Sequence, residues 1–206
     1  MQGYYQKPTV HDQQLIFVCE DDLWWSELSG GTAQRLTASP GRCSDPQFSP
    51  DGRLLAYTGR DEGPSEVFLL DLEQGESQRL TFLGADTRCV GFSPDGKWIY
   101  FTTNAWQAFA RVHVLGRVAV GGGPAQPMAW GPANWISFQG KGRVLGRHTW
   151  DSARWKRYRG GTAGQFWIDE KGKDQWQSLK PASSGNLTRP LWLGKRIYFG
   201  SDHAGH

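Results

Sequence analysis

No stretch of this 206-residue sequence approaches the eighteen or so consecutive apolar residues that a membrane-spanning helix requires. A membrane is therefore not an expected partner. Residues Met1 to His11 are polar and lack the basic-then-apolar order of a signal peptide, which gives the expectation of a cytoplasmic protein. Cysteine is scarce. The three present, Cys19, Cys43 and Cys89, make an odd count with no C-x-x-C pair, so reduced, packed thiols are expected rather than a disulfide framework. An excess of charge of either sign is also missing. With 23 basic and 20 acidic residues the net charge is only +3, which argues against nucleic acid as a partner. No amphipathic helix separates the apolar runs, as a nucleotide-binding α/β sheet would need.

What the sequence does have is aromatic residues and turn formers. It carries 11 Trp, 10 Phe and 6 Tyr beside 27 Gly and 11 Pro. Aromatics suit pleated sheet surfaces, while Gly and Pro punctuate turns, so the composition predicts an all-β chain of many short strands.

Two motifs recur in one register. Arg35-Leu36-Thr37 returns as Arg79-Leu80-Thr81, and Phe48-Ser49-Pro50-Asp51-Gly52 returns as Phe92-Ser93-Pro94-Asp95-Gly96, both after 44 residues. In the Ser-Pro-Asp-Gly run, proline presets φ, aspartate bonds nearby amides and glycine accepts a positive φ, which is the chemistry of a tight hairpin. Strand-like runs begin near Leu15, Leu54, Trp98, Arg143 and Arg196, at spacings of 39, 44, 45 and 53 residues. Constant strand content with variable spacing puts the insertions in loops. Repeats of this length predict a β-propeller of four-stranded antiparallel blades, about four blades and the start of a fifth, over residues 1–206. The chain stops just after a strand, so a fragment of a longer propeller is expected.

Catalytic and metal-binding patterns are wanting. Ser49 and Ser93 sit in turns where a hydroxyl serves the backbone, and no G-x-S-x-G elbow occurs. The histidines His11, His113, His148, His203 and His206 are scattered without zinc-ligand spacing. Glu20-Asp21-Asp22 lacks the alternation of a calcium loop and reads as a solvated turn, and Gly121-Gly122-Gly123-Pro124 lacks the lysine of a phosphate loop. No catalytic residue, metal or cofactor is expected within this chain. Arg154-Trp155-Lys156-Arg157-Tyr158-Arg159 interleaves basic and aromatic residues as single-strand binders do, but packing between blades is the expected use.

With the repeats placed, the chain resembles the N-terminal propeller of tricorn-type proteases over nearly its whole length. The opening Leu15-Ile16-Phe17-Val18-Cys19-Glu20-Asp21-Asp22-Leu23-Trp24 and the run from Trp155 through Tyr158-Arg159-Gly160-Gly161-Thr162 to Ile168 carry the resemblance. It implies a large cytosolic serine peptidase that forms hexameric rings and degrades peptides. In such a protein a six-bladed propeller precedes a seven-bladed one and the catalytic serine lies far downstream. It further implies that the first propeller walls a channel for peptides and anchors a substrate carboxylate through an arginine pair. In this sequence the corresponding loop, Gly84-Ala85-Asp86-Thr87-Arg88-Cys89, offers Arg88 alone as the substrate-binding candidate. The competing readings are a stand-alone binding propeller of the TolB or WD40-like kind and the propeller of an oligopeptidase.

Overall fold

The computed structural model describes residues 3–61, 63–149, 160–182 and 185–204, and no helix occurs among them. The chain divides into two compact units, one of residues 1–105 with 116–126 and the other of residues 106–115 with 127–206.

Four sheets have four strands each. The first runs β1 (Gln6–His11), β2 (Gln14–Cys19), β3 (Asp22–Glu27), β4 (Gln34–Arg35), and the second β5 (Arg42–Phe48), β6 (Leu54–Arg60), β7 (Glu66–Asp71), β8 (Ser77–Arg79). The third contains β9 (Thr87–Phe92), β10 (Trp98–Thr103), β11 (Val114–Ala119) and β12 (Gln126–Pro132). The fourth contains β13 (Trp135–Gln139), β14 (Gly142–Arg147), β15 (Gln165–Asp169) and β16 (Gln177–Leu179), and β17 (Leu187–Leu193) pairs with β18 (Arg196–Ser201). In every sheet the strands follow chain order with hairpin neighbours, which is the up-and-down blade of a β-propeller. The recurring starts at Leu15, Leu54, Trp98, Arg143 and Arg196 all fall in the second strand of a sheet, with its first strand upstream.

The middle strands of the second blade carry near-continuous apolar runs because both faces of the blade are covered. Strand β7 reads Glu-Val-Phe-Leu-Leu-Asp and is buried from Glu66 to Leu70. Such a strand gains no alternation, since each face meets a neighbour. In the first unit Ile16, Val18 and Leu23 pack with Cys43, Leu55, Tyr57, Phe68 and Leu70. In the second unit Val144, Phe166 and Leu187 form the corresponding core, with Leu179, Trp192 and Ile197 against it.

First strands are irregular. Register shifts interrupt β1, β5, β9 and β17. Three of these bulges hold a charged residue with left-handed φ before a proline: Lys7 at 50°, Asp45 at 49° and Arg189 at 46°. A bulge adds one unpaired residue and bends the strand, which frees it from the regular pleat. In the first unit, Lys7 Nζ meets Asp45 Oδ1 at 3.1 Å.

Candidate functional site

The recurring motifs build structure first. In both Ser-Pro-Asp-Gly turns the serine hydroxyl accepts an amide and donates to the aspartate. Ser49 Oγ accepts from Leu54 N at 2.9 Å and donates to Asp51 Oδ1 at 2.6 Å; Ser93 repeats this with Trp98 N at 3.0 Å and Asp95 at 2.5 Å. Glycine closes each turn with φ of 71° at Gly52 and 69° at Gly96. The serine bonds hold the Asp51 and Asp95 carboxyls below the usual range, with help from the amides of Arg53 and Lys97. A hydroxyl committed in this way to the turn's own carboxylate and to a strand amide is a turn lock.

The Arg-Leu-Thr motif grips a buried acid. Thr81 Oγ1 donates to Glu66 Oε2 at 2.5 Å, and Arg79 Nη2 reaches Glu66 Oε1 at 3.2 Å. One blade earlier, Thr37 Oγ1 donates to Asp22 at 2.7 Å and Arg35 pairs with the same carboxylate. Each threonine also accepts the next strand amide, Val67 N at 2.8 Å and Leu23 N at 3.0 Å. This corrects the reading of Glu20-Asp21-Asp22 as a wholly solvated turn. Glu20 and Asp21 are exposed, but Asp22 is only 6% exposed, because the fixed partners Arg35 and Thr37 compensate its lost hydration.

Tryptophan meets arginine repeatedly. In the second unit Arg143 donates to Asp169 at 2.5 Å and Asp174 at 3.0 Å, and lies over Trp130 and Trp176. Burial alone would raise the Asp169 carboxyl, but the Arg143 bond and the amides of Lys173 and Asp174 outweigh it and hold it low. In the first unit Arg117 stacks over Trp98 at 4.0 Å. These are packing uses of an arginine's planar face. The basic-aromatic run Arg154 to Arg159 lies outside the described residues, as does His206.

All three cysteines are buried and free. Burial pushes the Cys43 thiol to about 11, despite the opposing Thr37 hydrogen bond, and drives Cys89 up as well. Neither is a thiolate nucleophile at neutral pH. Among the described residues no group of three or more His, Cys, Asp or Glu side chains is placed to hold a metal.

Arg88 stands on the first strand of the third blade between buried Thr87 and Cys89, with 45% of its side chain exposed. Asp86 takes it in a fork, Nε to Oδ1 at 3.0 Å and Nη2 to Oδ2 at 2.9 Å. Asp86 is itself positioned: Ser65 Oγ donates to it at 3.1 Å, and its own amide donates to Asn104 Oδ1 at 3.1 Å. Beneath the loop Gly84 N donates to Glu66 Oε1 at 2.7 Å, so the buried clamp of the second blade also fixes the approach to Arg88. A carboxylate ligand reaching Arg88 competes with Asp86 for the guanidinium. The clamp acids and the first-strand bulges were not found from sequence. The acid of each clamp sits 13 residues before its arginine and changes from Asp to Glu between blades, so no fixed motif marks it.

The comparisons with known proteins agree with this architecture. The family model described as the tricorn protease N-terminal beta propeller domain matches residues 2–206. Tricorn protease homolog 1 of Streptomyces coelicolor is 37% identical over 209 residues, covering 98% of this chain and 19% of that protein. The tricorn protease of Thermoplasma acidophilum is 34% identical, covering 95% of this chain and 19% of its own length. The crystal structure of the tricorn protease superposes on 100% of this chain and 21% of that one, with a TM-score of 0.89 at 32% identity. This chain thus spans about a fifth of the length of the relatives it matches. With four-stranded antiparallel blades and a family match over nearly every residue, the chain belongs to the tricorn protease N-terminal β-propeller family.

Proposed function

We propose that this chain is a non-catalytic propeller segment of a peptide-degrading serine protease of the tricorn type. It walls and guides the path of peptides while the bond-breaking residues lie elsewhere in the protein. The family match over residues 2–206 carries this reading. The turn geometry supports it, since Ser49 and Ser93 are bonded to Asp51 and Asp95 and to strand amides. In this proposal the complete protein is cytoplasmic and assembles as a hexamer.

Arg88 is the proposed anchor for a peptide's terminal carboxylate. Its exposure and its fork with Asp86 support the role, because a guanidinium already oriented loses little freedom on binding. Retention of short peptides with a free or an amidated C-terminus, compared between the parent chain and Arg88→Ala, tests it. Preferential retention of the free acid by the parent, lost in the variant, is the expected result. Equal retention in both rejects Arg88 as the anchor.

A further inference from the structure

The second unit carries a shallow, partly open cleft lined by Arg111, His113, Pro132, Ala133, Asn134 and His148. Three separate segments build it. The stretch before β11 is tied down where Ala133 N donates to the His113 carbonyl at 3.0 Å. The turn between β12 and β13 supplies Asn134, whose amide donates to Gly146 O at 2.9 Å. The end of β14 supplies His148, held at a left-handed φ of 54°.

The chemistry of this lining is one-sided. Among the described residues no acidic side chain lines the cleft, while one guanidinium and two imidazoles do. Asn134 is only 5% exposed, and Thr149 takes its side-chain oxygen twice, through the backbone N–H and through Oγ1, both at 3.1 Å. That pairing fixes the carboxamide and leaves its NH₂ group as the donor for the cleft. Among the described residues no side chain or carbonyl accepts from that NH₂ group, so it is open to a ligand in the cleft. Arg147, next to His148, adds positive charge: it donates to the Trp130 carbonyl at 2.9 Å and stacks on Trp167, and no carboxylate is paired with it among the described residues.

We infer that this cleft is a binding site for a small oxyanion, a carboxylate or phosphate group, held by Asn134, His148 and Arg111. It stands apart from the Arg88 proposal and does not depend on it. Charge-assisted donors from arginine and histidine are the strong kind, and the anion supplies the acceptor that Asn134 lacks. Burial and the neighbouring Arg147 keep the His148 imidazole's proton affinity below its ordinary value in the free protein. Arg111 and His113 also face the cleft. Binding of a carboxylate therefore tightens as pH falls below about 6.5, where His148 gains its proton.

The test is titration of the intact chain, followed by ¹H–¹⁵N spectra, with three probes: inorganic phosphate, N-acetyl-dialanine, and the amide of that dipeptide. Saturable shifts of the Asn134 side-chain amide and the His148 ring with phosphate or the free acid, and none with the amide, are expected. Binding of phosphate alone upholds the oxyanion site while counting against peptide termini as its natural ligand. The exposed pair Arg111→Ala with His148→Gln lowers affinity about tenfold or more without moving the unfolding midpoint. Asn134→Asp keeps the oxygen that Thr149 uses and replaces the donor with a negative charge, so it abolishes binding; Arg88→Ala leaves it unchanged. Absence of saturable shifts with both anions overturns the assignment, and so does affinity unaltered in the Arg111/His148 pair.

Discussion

Thr81 bridges a buried acid to its own strand: its hydroxyl donates to Glu66 Oε2 at 2.5 Å while accepting the Val67 amide at 2.8 Å. Both side chains are 1% exposed, so the contact works in a low-dielectric setting where an unmet partner is expensive. Thr81→Val removes both bonds at nearly constant shape. The expected loss is about 1.5–3 kcal/mol, read as a lower urea midpoint with unchanged slope. Gln78→Ala, exposed on β8, is the control and stays within about 0.5 kcal/mol of the parent. A Thr81→Val midpoint equal to the control's removes the clamp from the account of stability.

The two homologous turns differ in what surrounds their glycines. A Cβ on Gly52 would lie 2.4 Å from His11 Nδ1, whereas on Gly96 the nearest atom is Pro50 Cδ at 3.7 Å. Both glycines have left-handed φ, so alanine strains each by about 1–2 kcal/mol. Gly52→Ala is expected to cost more than Gly96→Ala by thermal unfolding. Adding His11→Ala brings the two costs together. If that addition leaves the gap intact, His11 is not its cause.

Much of this was legible in the sequence, for a physical reason. A hairpin needs its proline, aspartate and glycine at fixed offsets, so Ser49 to Gly52 and Ser93 to Gly96 announce themselves locally. The Arg-Leu-Thr repeats likewise kept one register because each meets an acid at the same place in its blade. What could not be read was set by strands remote in sequence. Asp22 looked like part of a solvated acidic turn because Arg35 and Thr37 are brought to it only by pairing of β3 with β4. The left-handed bulges at Lys7, Asp45 and Arg189 arise from register shifts against the neighbouring strand, and a residue before proline is ordinarily extended. Arg111, Asn134 and His148 share no spacing, so nothing in the chain order groups them.

The turn carboxylates give a pH signature. Ser93, then the Lys97 amide, hold the Asp95 carboxyl below its ordinary value. A depressed folded-state carboxyl contributes stability above the unfolded value of about 3.9 and loses it as pH falls through the lower folded value. Titration by NMR is expected to place Asp95 below a free aspartate, and Ser93→Ala moves it upward. An Asp95 that titrates identically in both proteins contradicts the turn lock.

Thiol chemistry offers an independent check on packing. Cys43, with its thiol near 11, and fully buried Cys89 are expected to resist alkylation at about pH 8 in the folded chain and to label once denaturant unfolds it. Labelling followed by intact mass measures this directly. Rapid labelling of both sites without denaturant is incompatible with the packed first unit.

As proposed, the propeller segment handles peptides without cutting them. Incubation of the purified chain with a panel of fluorogenic peptides tests it most directly, with product masses followed over time. The account predicts no steady turnover above buffer, with the peptides recovered intact. Sustained cleavage that follows the chain through successive purification steps and is abolished by substituting one of its own residues would contradict it.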